Sequence, residues 1–179
     1  LPKVPRTPEL KRVVTAMNQM VEKLKTLFAE EAARSEKLRE EAYQDSITGL
    51  ANRRLFDIRL ANQLVVSEQH AEGYLLLLRV NDLGGLNQRL GGQRTDQLLV
   101  SITEQLQQLS QGRFVLARNR GGEFALLAPG YERHEAQQLA EQLEQRLNSL
   151  QQTGASDCLP VAHMGLTGFA PGAAEDDLF

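Results

Sequence analysis

Apolar residues recur near the start of the chain at alternating spacings of four and three positions. The series comprises Leu10, Val14, Met17, Val21, Leu24 and Phe28. This is the a/d pattern of a coiled-coil helix, and Thr7 and Pro8 supply an N-cap and a first helical residue. In the same register, Glu31 and Ser35 then occupy core positions. The pattern predicts one helix over residues 8–43, with a pairing seam first and a charged stalk after it.

The alternative is an amphipathic helix that packs along its own domain. A helix of this length exceeds what a domain of about 100–150 residues can cover, because it rises about 1.5 Å per residue. We therefore favour pairing with a second copy of the chain or with a neighbouring helix.

The pattern changes at Thr48 and Gly49, which break the helix. Asn52 can then cap a second helix that ends near Ser67. Its apolar positions are Leu55, Ile58, Leu60 and Leu64. A continuous apolar run follows at residues 74–81, and its length suits a strand that is buried on both faces. The run predicts the centre of a β-sheet with helices on both sides.

Residues 83–92 are rich in glycine and predict an irregular segment around a short helical turn. Thr95 or Asp96 starts the next predicted helix. Its apolar stripe consists of Leu99, Ile102, Leu106 and Leu109. Two short apolar runs at 114–117 and 124–127, separated by a glycine pair, predict a β-hairpin.

A third amphipathic helix is predicted over residues 132–151, and a further strand over 159–166. The inward positions of this helix are Ala136, Leu139, Ala140, Leu143, Leu147 and Leu150. We expect a C-terminal helix that is truncated after Phe179. The order of elements predicts an α/β domain with a mixed central β-sheet surrounded by helices, preceded by a long coiled-coil-like helix.

Composition narrows the functional classes. The chain has 179 residues, a formal net charge of −3 and no tryptophan, so it lacks the basic, aromatic-interleaved surface of a nucleic-acid binder. The one cysteine, Cys158, excludes an internal disulfide and suits a reducing compartment. His70, His134 and His163 have no ligand spacing, so we expect no zinc site. No run approaches the roughly 18 apolar residues of a membrane span.

The predicted hairpin carries two arginines and a glutamate at its turn, which is more charge than a connection requires. This segment, Arg118–Phe124, aligns without gaps on the signature R-x-G-G-D-E-F. The segment Asp45–Arg54 matches D-x-L-T-G-L-x-N-R-R at every fixed position except Ile47. In both motifs the chain resembles the GGDEF family of bacterial diguanylate cyclases, which condense GTP into cyclic di-GMP.

The resemblance also implies a domain order. Residues 9–25, with Ala16-Met17-Asn18-Gln19-Met20, resemble the second helix of a HAMP signalling module. We therefore interpret residues 1–28 as the C-terminal part of HAMP, 29–44 as a signalling helix and 45–179 as the GGDEF domain.

Phosphoryl transfer in this family depends on metal ions held by a pair of carboxylates. The resemblance places these carboxylates at the end of the central strand and at the third letter of the signature, where this chain has Arg79 and Gly122. Asn81 is a neutral amide and a poor magnesium ligand, and strand alternation turns Asp82 to the face opposite Arg79. The resemblance therefore implies a degenerate domain with no metal site and no catalytic residues.

The degenerate signature consists of Arg120, Gly121, Gly122, Glu123 and Phe124. By strand alternation, Glu123 should point away from Gly122. We expect Arg79 to form an ion pair with Glu123 or another acidic residue, because buried charges need partners. The alternative for Arg79 is a phosphate contact.

The family has a glycine where Arg120 stands and a phosphate-binding lysine where Gly84 stands. We expect Arg120 to contact another domain or protomer.

Asn87 and Asp96 match the guanine-contacting residues of the family in type and spacing, and such side chains can bind a guanine edge. Their alternative roles are structural, with Asp96 as a helix cap and Asn87 as a brace for the glycine-rich loop.

Gln111 and Phe114 stand where the family has an inhibitory Arg-x-x-Asp site. Feedback binding of the dinucleotide is therefore not expected.

The resemblance implies an inactive regulatory and dimerisation module without a cofactor. The chain resembles LapD-type HAMP–GGDEF–EAL receptors of cyclic di-GMP, which control biofilm formation and adhesion. We therefore expect a homodimer through the N-terminal helix, a downstream EAL domain that binds cyclic di-GMP, and a location at the cytoplasmic face of the bacterial inner membrane. The alternatives are a GTP-binding allosteric module without turnover and a weakly active diguanylate cyclase.

Overall fold

The computed structural model describes three stretches of the chain, residues 8–67, 71–152 and 154–174. The chain divides after Ala42 into two compact units. Most of the first unit is helix α1 (Pro8–Tyr43), which is 36 residues long and confirms the predicted helix. Thr7, its predicted N-cap, and the predicted truncated helix before Phe179 lie outside the described residues. Within the described residues, no helix has the length and apolar character needed to cross a membrane.

The predicted seam of α1 is largely exposed in the single chain. The exposed fractions are 53% for Leu10, 52% for Met17, 38% for Val21, 46% for Leu24 and 73% for Phe28, and Val14 is half-buried. An apolar stripe of this extent is buried only when another helix packs against it. Pairing through the seam stays a prediction.

Within the described residues, five strands form one mixed sheet in the order β1-β3-β4-β2-β5. The strands are β1 (Ala51–Asn52), β2 (Gly73–Val80), β3 (Val115–Arg120), β4 (Glu123–Pro129) and β5 (Ala162–Phe169). The helices of this unit are α2 (Arg53–Leu64), α3 (Leu83–Leu90), α4 (Gly92–Ser110) and α5 (Arg133–Gln152). Strand β1 is parallel to β3, and the other neighbouring strands are antiparallel. The predicted mixed α/β fold is confirmed.

Both faces of the sheet are packed. On one face, α3, α4 and α5 bury a core that includes Leu76, Leu78, Phe124 and Leu126 of the strands. On the other face, α2 buries a second core that includes Leu75, Ala117, Ala125 and Leu127. The run at 74–80 is apolar at successive positions because its side chains alternate between these two cores. This confirms the prediction of a strand buried on both faces.

The glycine-rich segment differs from its prediction, because it forms the complete helix α3 and not an irregular segment. The Asp82 carboxylate caps this helix by accepting a hydrogen bond from the Gly85 amide at 3.2 Å.

The prediction that Thr95 or Asp96 starts α4 is also wrong. The helix starts at Gly92, since Gly91 at φ +83° serves as the N-cap. Asp96 therefore lies inside the helix and does not cap it.

Strand β5 begins at Ala162, three residues after the predicted start. The amide of Val161 donates to the Asn148 side chain at 3.0 Å and not to a neighbouring strand. The two-residue strand β1 escaped prediction, because a strand this short has no periodicity and exists only through its pairing with β3.

Candidate functional site

The charged segment Arg118–Phe124 forms the turn between β3 and β4, as predicted. Gly121 and Gly122 connect the strands, and the ladder register shifts between Arg118 and Arg120. Gly121 has φ +50°, in the left-handed region where a side chain is disfavoured. This glycine is therefore required by the turn itself.

Arg118 holds the turn from inside the domain. Its side chain is only 7% exposed. The guanidinium Nε donates to the Gly121 carbonyl and Nη1 donates to the Asp45 carboxylate, each at 2.8 Å. The same carboxylate oxygen accepts hydrogen bonds from the Thr48 amide at 2.9 Å and the Thr48 hydroxyl at 2.7 Å. Arg118 thus joins the hairpin to the turn at residues 45–50, which we call the Asp45 turn, and is not available to a ligand.

Asp45 titrates below the usual range of a carboxyl group. Partial burial acts to raise the pKa of Asp45, but hydrogen bonds from Thr48 and Arg118 outweigh this effect and lower it. A carboxyl pKa that is lower in the folded than in the unfolded state stabilises the fold above the unfolded value of about 3.9. This stabilisation is lost as the pH falls through the lower folded pKa.

The replacement Asp45→Asn is therefore expected to lower the free energy of unfolding by about 1–3 kcal/mol at pH 7, since a charged acceptor is lost. The difference from the parent chain should shrink as the pH falls below the unfolded value of about 3.9 and through the lower folded pKa, because protonation then neutralises Asp45 as well. Urea denaturation across this pH range measures both chains. An equal difference at neutral and acidic pH would contradict the role of the charge.

Two exposed arginines flank Glu123 on the sheet. Arg79 is opposite Glu123 in the β2–β4 register, with 4.0 Å between Nε and Oε1. Arg120 lies closer, with its Nε 3.3 Å from Oε2. The predicted pair of Arg79 with Glu123 is present, but its stated reason is wrong, because the Arg79 side chain is 78% exposed. Such a pair contributes at most about 1 kcal/mol. The predicted contact of Arg120 with another domain or protomer stays a prediction.

The residues around the turn do not fit a divalent metal ion. Gly122 has no side chain, and Arg79 brings a positive charge. The Asn81 side chain donates to the Pro160 carbonyl at 3.2 Å. The reason given for the orientation of Asp82 does not hold, because β2 ends at Val80 and Asp82 has left-handed backbone angles, so strand alternation does not apply. Across the described stretches, no group of three or more His, Cys, Asp or Glu residues could hold a metal ion.

Asp82 is engaged in a network that was not predicted. Arg89 donates to Asp82 at 2.9 Å and to both Asp157 oxygens at 2.6 and 2.9 Å. Hydrogen bonds from Arg89 and Cys158 lower the pKa of Asp157 to about 2. The hydrogen bond to Asp157 raises the pKa of the Cys158 thiol, so the thiol stays protonated and unreactive at neutral pH. The network ties α3 to the loop before β5.

Asn87 and Asp96 do not take the structural roles offered as alternatives. Both side chains are exposed, and within the described part of the chain neither forms a hydrogen bond or ion pair. Asp96 lines an open groove of about 870 Å³ together with Ser46, Arg94 and Gln97. Asn87 does not line this groove, although its Oδ1 lies near Gly92 at the start of α4. The two side chains are free to contact a ligand but are not gathered around one cavity.

The mixed sheet, its flanking helices and the glycine turn between β3 and β4 define a nucleotidyl cyclase-like fold. Residues 42–175 match the family described as "Diguanylate cyclase, GGDEF domain". The chain therefore belongs to the GGDEF family, as its two motifs indicated.

Curated relatives are substantially longer than this chain. Diguanylate cyclase VdcA of Vibrio cholerae is 32% identical over 114 residues, which are 64% of this chain and 33% of VdcA. Cyclic di-GMP phosphodiesterase NbdA of Pseudomonas aeruginosa is 32% identical over 111 residues, which are 62% of this chain and 14% of NbdA. The chain thus spans a third or less of these relatives.

Solved structures share the fold at low sequence identity. The coiled coil and GGDEF domain of DgcB from Caulobacter crescentus, in complex with c-di-GMP, has a TM-score of 0.72 at 20% identity and covers 91% of this chain and 88% of that one. The S helix-GGDEF-EAL part of Vibrio cholerae LapD, bound to c-di-GMP, has a TM-score of 0.69 at 21% identity and covers 84% of this chain and 35% of that one.

Proposed function

We propose that this chain is a catalytically inactive GGDEF module that regulates a longer cyclic di-GMP signalling protein. The observation that supports the proposal is that Arg79 and Gly122 occupy the two positions where the family has metal-binding carboxylates. Metal ions must neutralise the triphosphate during phosphoryl transfer, and a cation at one position with no side chain at the other opposes metal binding. The nearby residues do not compensate, since Asn81 is a neutral amide and a poor magnesium ligand, and the Asp82 carboxylate is paired with Arg89.

The proposed place of the module in its protein is between a HAMP segment and a downstream EAL domain. The chain is similar to the S helix-GGDEF-EAL part of LapD and spans only part of its relatives, which supports this layout. In this role the chain forms a homodimer through α1 and relays a signal between the HAMP segment at the cytoplasmic face of the inner membrane and an EAL domain that binds cyclic di-GMP. The output of the longer protein is control of biofilm formation and adhesion.

The test is an assay of the purified chain with GTP and Mg²⁺ or Mn²⁺, analysed by chromatography for cyclic di-GMP. We expect no product, because no metal-dependent step can be assembled. Diguanylate cyclase VdcA serves as the positive control under the same conditions. Formation of cyclic di-GMP by this chain would refute the proposal and support the weakly active cyclase.

A second candidate function is GTP binding without turnover. The free, exposed side chains of Asn87 and Asp96 favour it, since both can exchange hydrogen bonds with a guanine edge. Calorimetry with a non-hydrolysable GTP analogue would show binding in the micromolar range that Asn87→Ala removes. Gln88→Ala, an exposed neighbour on α3, is the matched control. Absence of heat with the parent chain would eliminate this function.

A further inference from the structure

We infer that position 122 is closed to every side chain, so that restoring both family carboxylates would not restore a metal site. The inference deepens the proposed function, on which it rests, because it makes inactivity a property of the packing as well as of two missing ligands. The packing in question lies between the hairpin turn and the junction of β2 with α3.

The closure is visible in the space around Gly122. A Cβ atom on Gly122 would lie 2.9 Å from Val80 Cβ, 3.2 Å from Leu83 Cδ2 and 3.3 Å from Val80 Cγ2. Carbon atoms in van der Waals contact are about 3.5–4.0 Å apart. The first carbon of any replacement side chain therefore overlaps both neighbours before its functional group is placed.

Packing and hydrogen bonds restrain the backbone around Val80 and Leu83. Val80 is 5% exposed in the core, and its Cβ is attached directly to the backbone of β2. The Val80 amide also donates to the Gly122 carbonyl at 2.9 Å, so the strand cannot move away without breaking that hydrogen bond. Leu83 begins α3, whose cap residue Asp82 is tied to Arg89 at 2.9 Å. The Leu83 Cδ2 methyl ends a flexible side chain and can shift, whereas relief of the overlap with Val80 Cβ requires movement of the backbone of β2 or of the turn.

Two nearby glycines lie in open space, although a third, Gly85, is crowded by Asp82 and Arg89. A Cβ on Gly84 would meet no atom within 4 Å, and neither would one on Gly121. Gly121 has φ +50°, which alone disfavours a side chain, whereas Gly84 lies in α3 with ordinary helical geometry. Gly84→Ala is therefore a matched control for Gly122→Ala, because it adds the same methyl group where there is room.

The stability test compares these two alanine variants by thermal denaturation. Gly122→Ala should lower Tm by about 5 °C or more, since overpacking of a closed site is destabilising. Gly84→Ala should leave Tm unchanged or raise it, because alanine is favoured over glycine inside a helix. A Gly122→Ala variant with the Tm of the parent chain would overturn the inference.

The metal test uses Arg79→Asp and the double variant Arg79→Asp with Gly122→Asp. The double variant should melt below Arg79→Asp and gain no Tm from millimolar Mn²⁺, whereas a bound ion would stabilise the fold. If the double variant has the same Tm as Arg79→Asp and Mn²⁺ raises that Tm, the inference that position 122 is closed is refuted. Cyclic di-GMP formation by the parent chain would refute the proposed function and leave the closure standing, so the two failures are distinguishable.

Discussion

Replacement of Arg118 by alanine is expected to lower the free energy of unfolding by about 3–5 kcal/mol, the range observed when one partner of a buried ion pair is removed. Arg118 is 7% exposed and Asp45 is 22% exposed, so the remaining carboxylate would lie in a poorly solvated site. The Gly121 carbonyl would also lose its hydrogen bond from Nε. Urea denaturation followed by circular dichroism measures the loss.

The matched control is Arg53→Ala. Arg53 pairs with Asp57 at 3.4 Å, but both side chains are well exposed, at 56% and 38%. An exposed pair of this kind contributes about 0–1 kcal/mol, so the control should stay close to the parent chain. Equal losses for Arg53→Ala and Arg118→Ala would contradict the special role of the buried pair.

A double-mutant cycle separates the pair from the volume of the arginine. Arg118→Met keeps much of the apolar stem, and Asp45→Asn removes the opposing charge. Because the two residues share one hydrogen bond, the double variant should lose less than the sum of the single variants. Additive losses would mean that Arg118 stabilises the hairpin through Gly121 alone and not through the Asp45 turn.

The replacement Leu24→Glu is expected to convert a dimer of the chain into a monomer. Leu24 is 46% exposed in the single chain and lies in the middle of the predicted seam. Each buried leucine contributes about 1.5–3 kcal/mol, and a homodimer loses that contribution twice while it gains two apposed charges. Sedimentation velocity of both chains over a concentration series measures the change.

Controls for this prediction lie on the same helix. Lys23→Glu changes the charge at a position beside the seam and should leave the dimer intact. Leu38→Glu changes a residue that is 57% exposed beyond Glu31 and Ser35, where the seam weakens, and should have a smaller effect than Leu24→Glu. A monomeric parent chain, or a dimer that survives Leu24→Glu, would refute pairing through this seam.

Much of the secondary structure follows from local rules. The a/d series predicted α1, the continuous run at 74–81 predicted β2, and the glycine pair between two apolar runs predicted the hairpin. These elements are long, or carry turn residues that few other structures accept, so neighbouring residues contain most of the information. The short helix α3 was missed because its cap is a single carboxylate, Asp82, in left-handed geometry.

The amino-acid sequence alone reveals which chemical groups are present. It placed Arg79 and Gly122 at positions where the GGDEF family carries carboxylates, since the identity of a side chain needs no structure. What those two positions can do depends on how the folded chain packs around them. Arg118 and Asp45 meet across 73 residues, and Val80 and Leu83 close the space at Gly122. Such contacts depend on strand register and on the path of the backbone, which arise only when distant segments pack together.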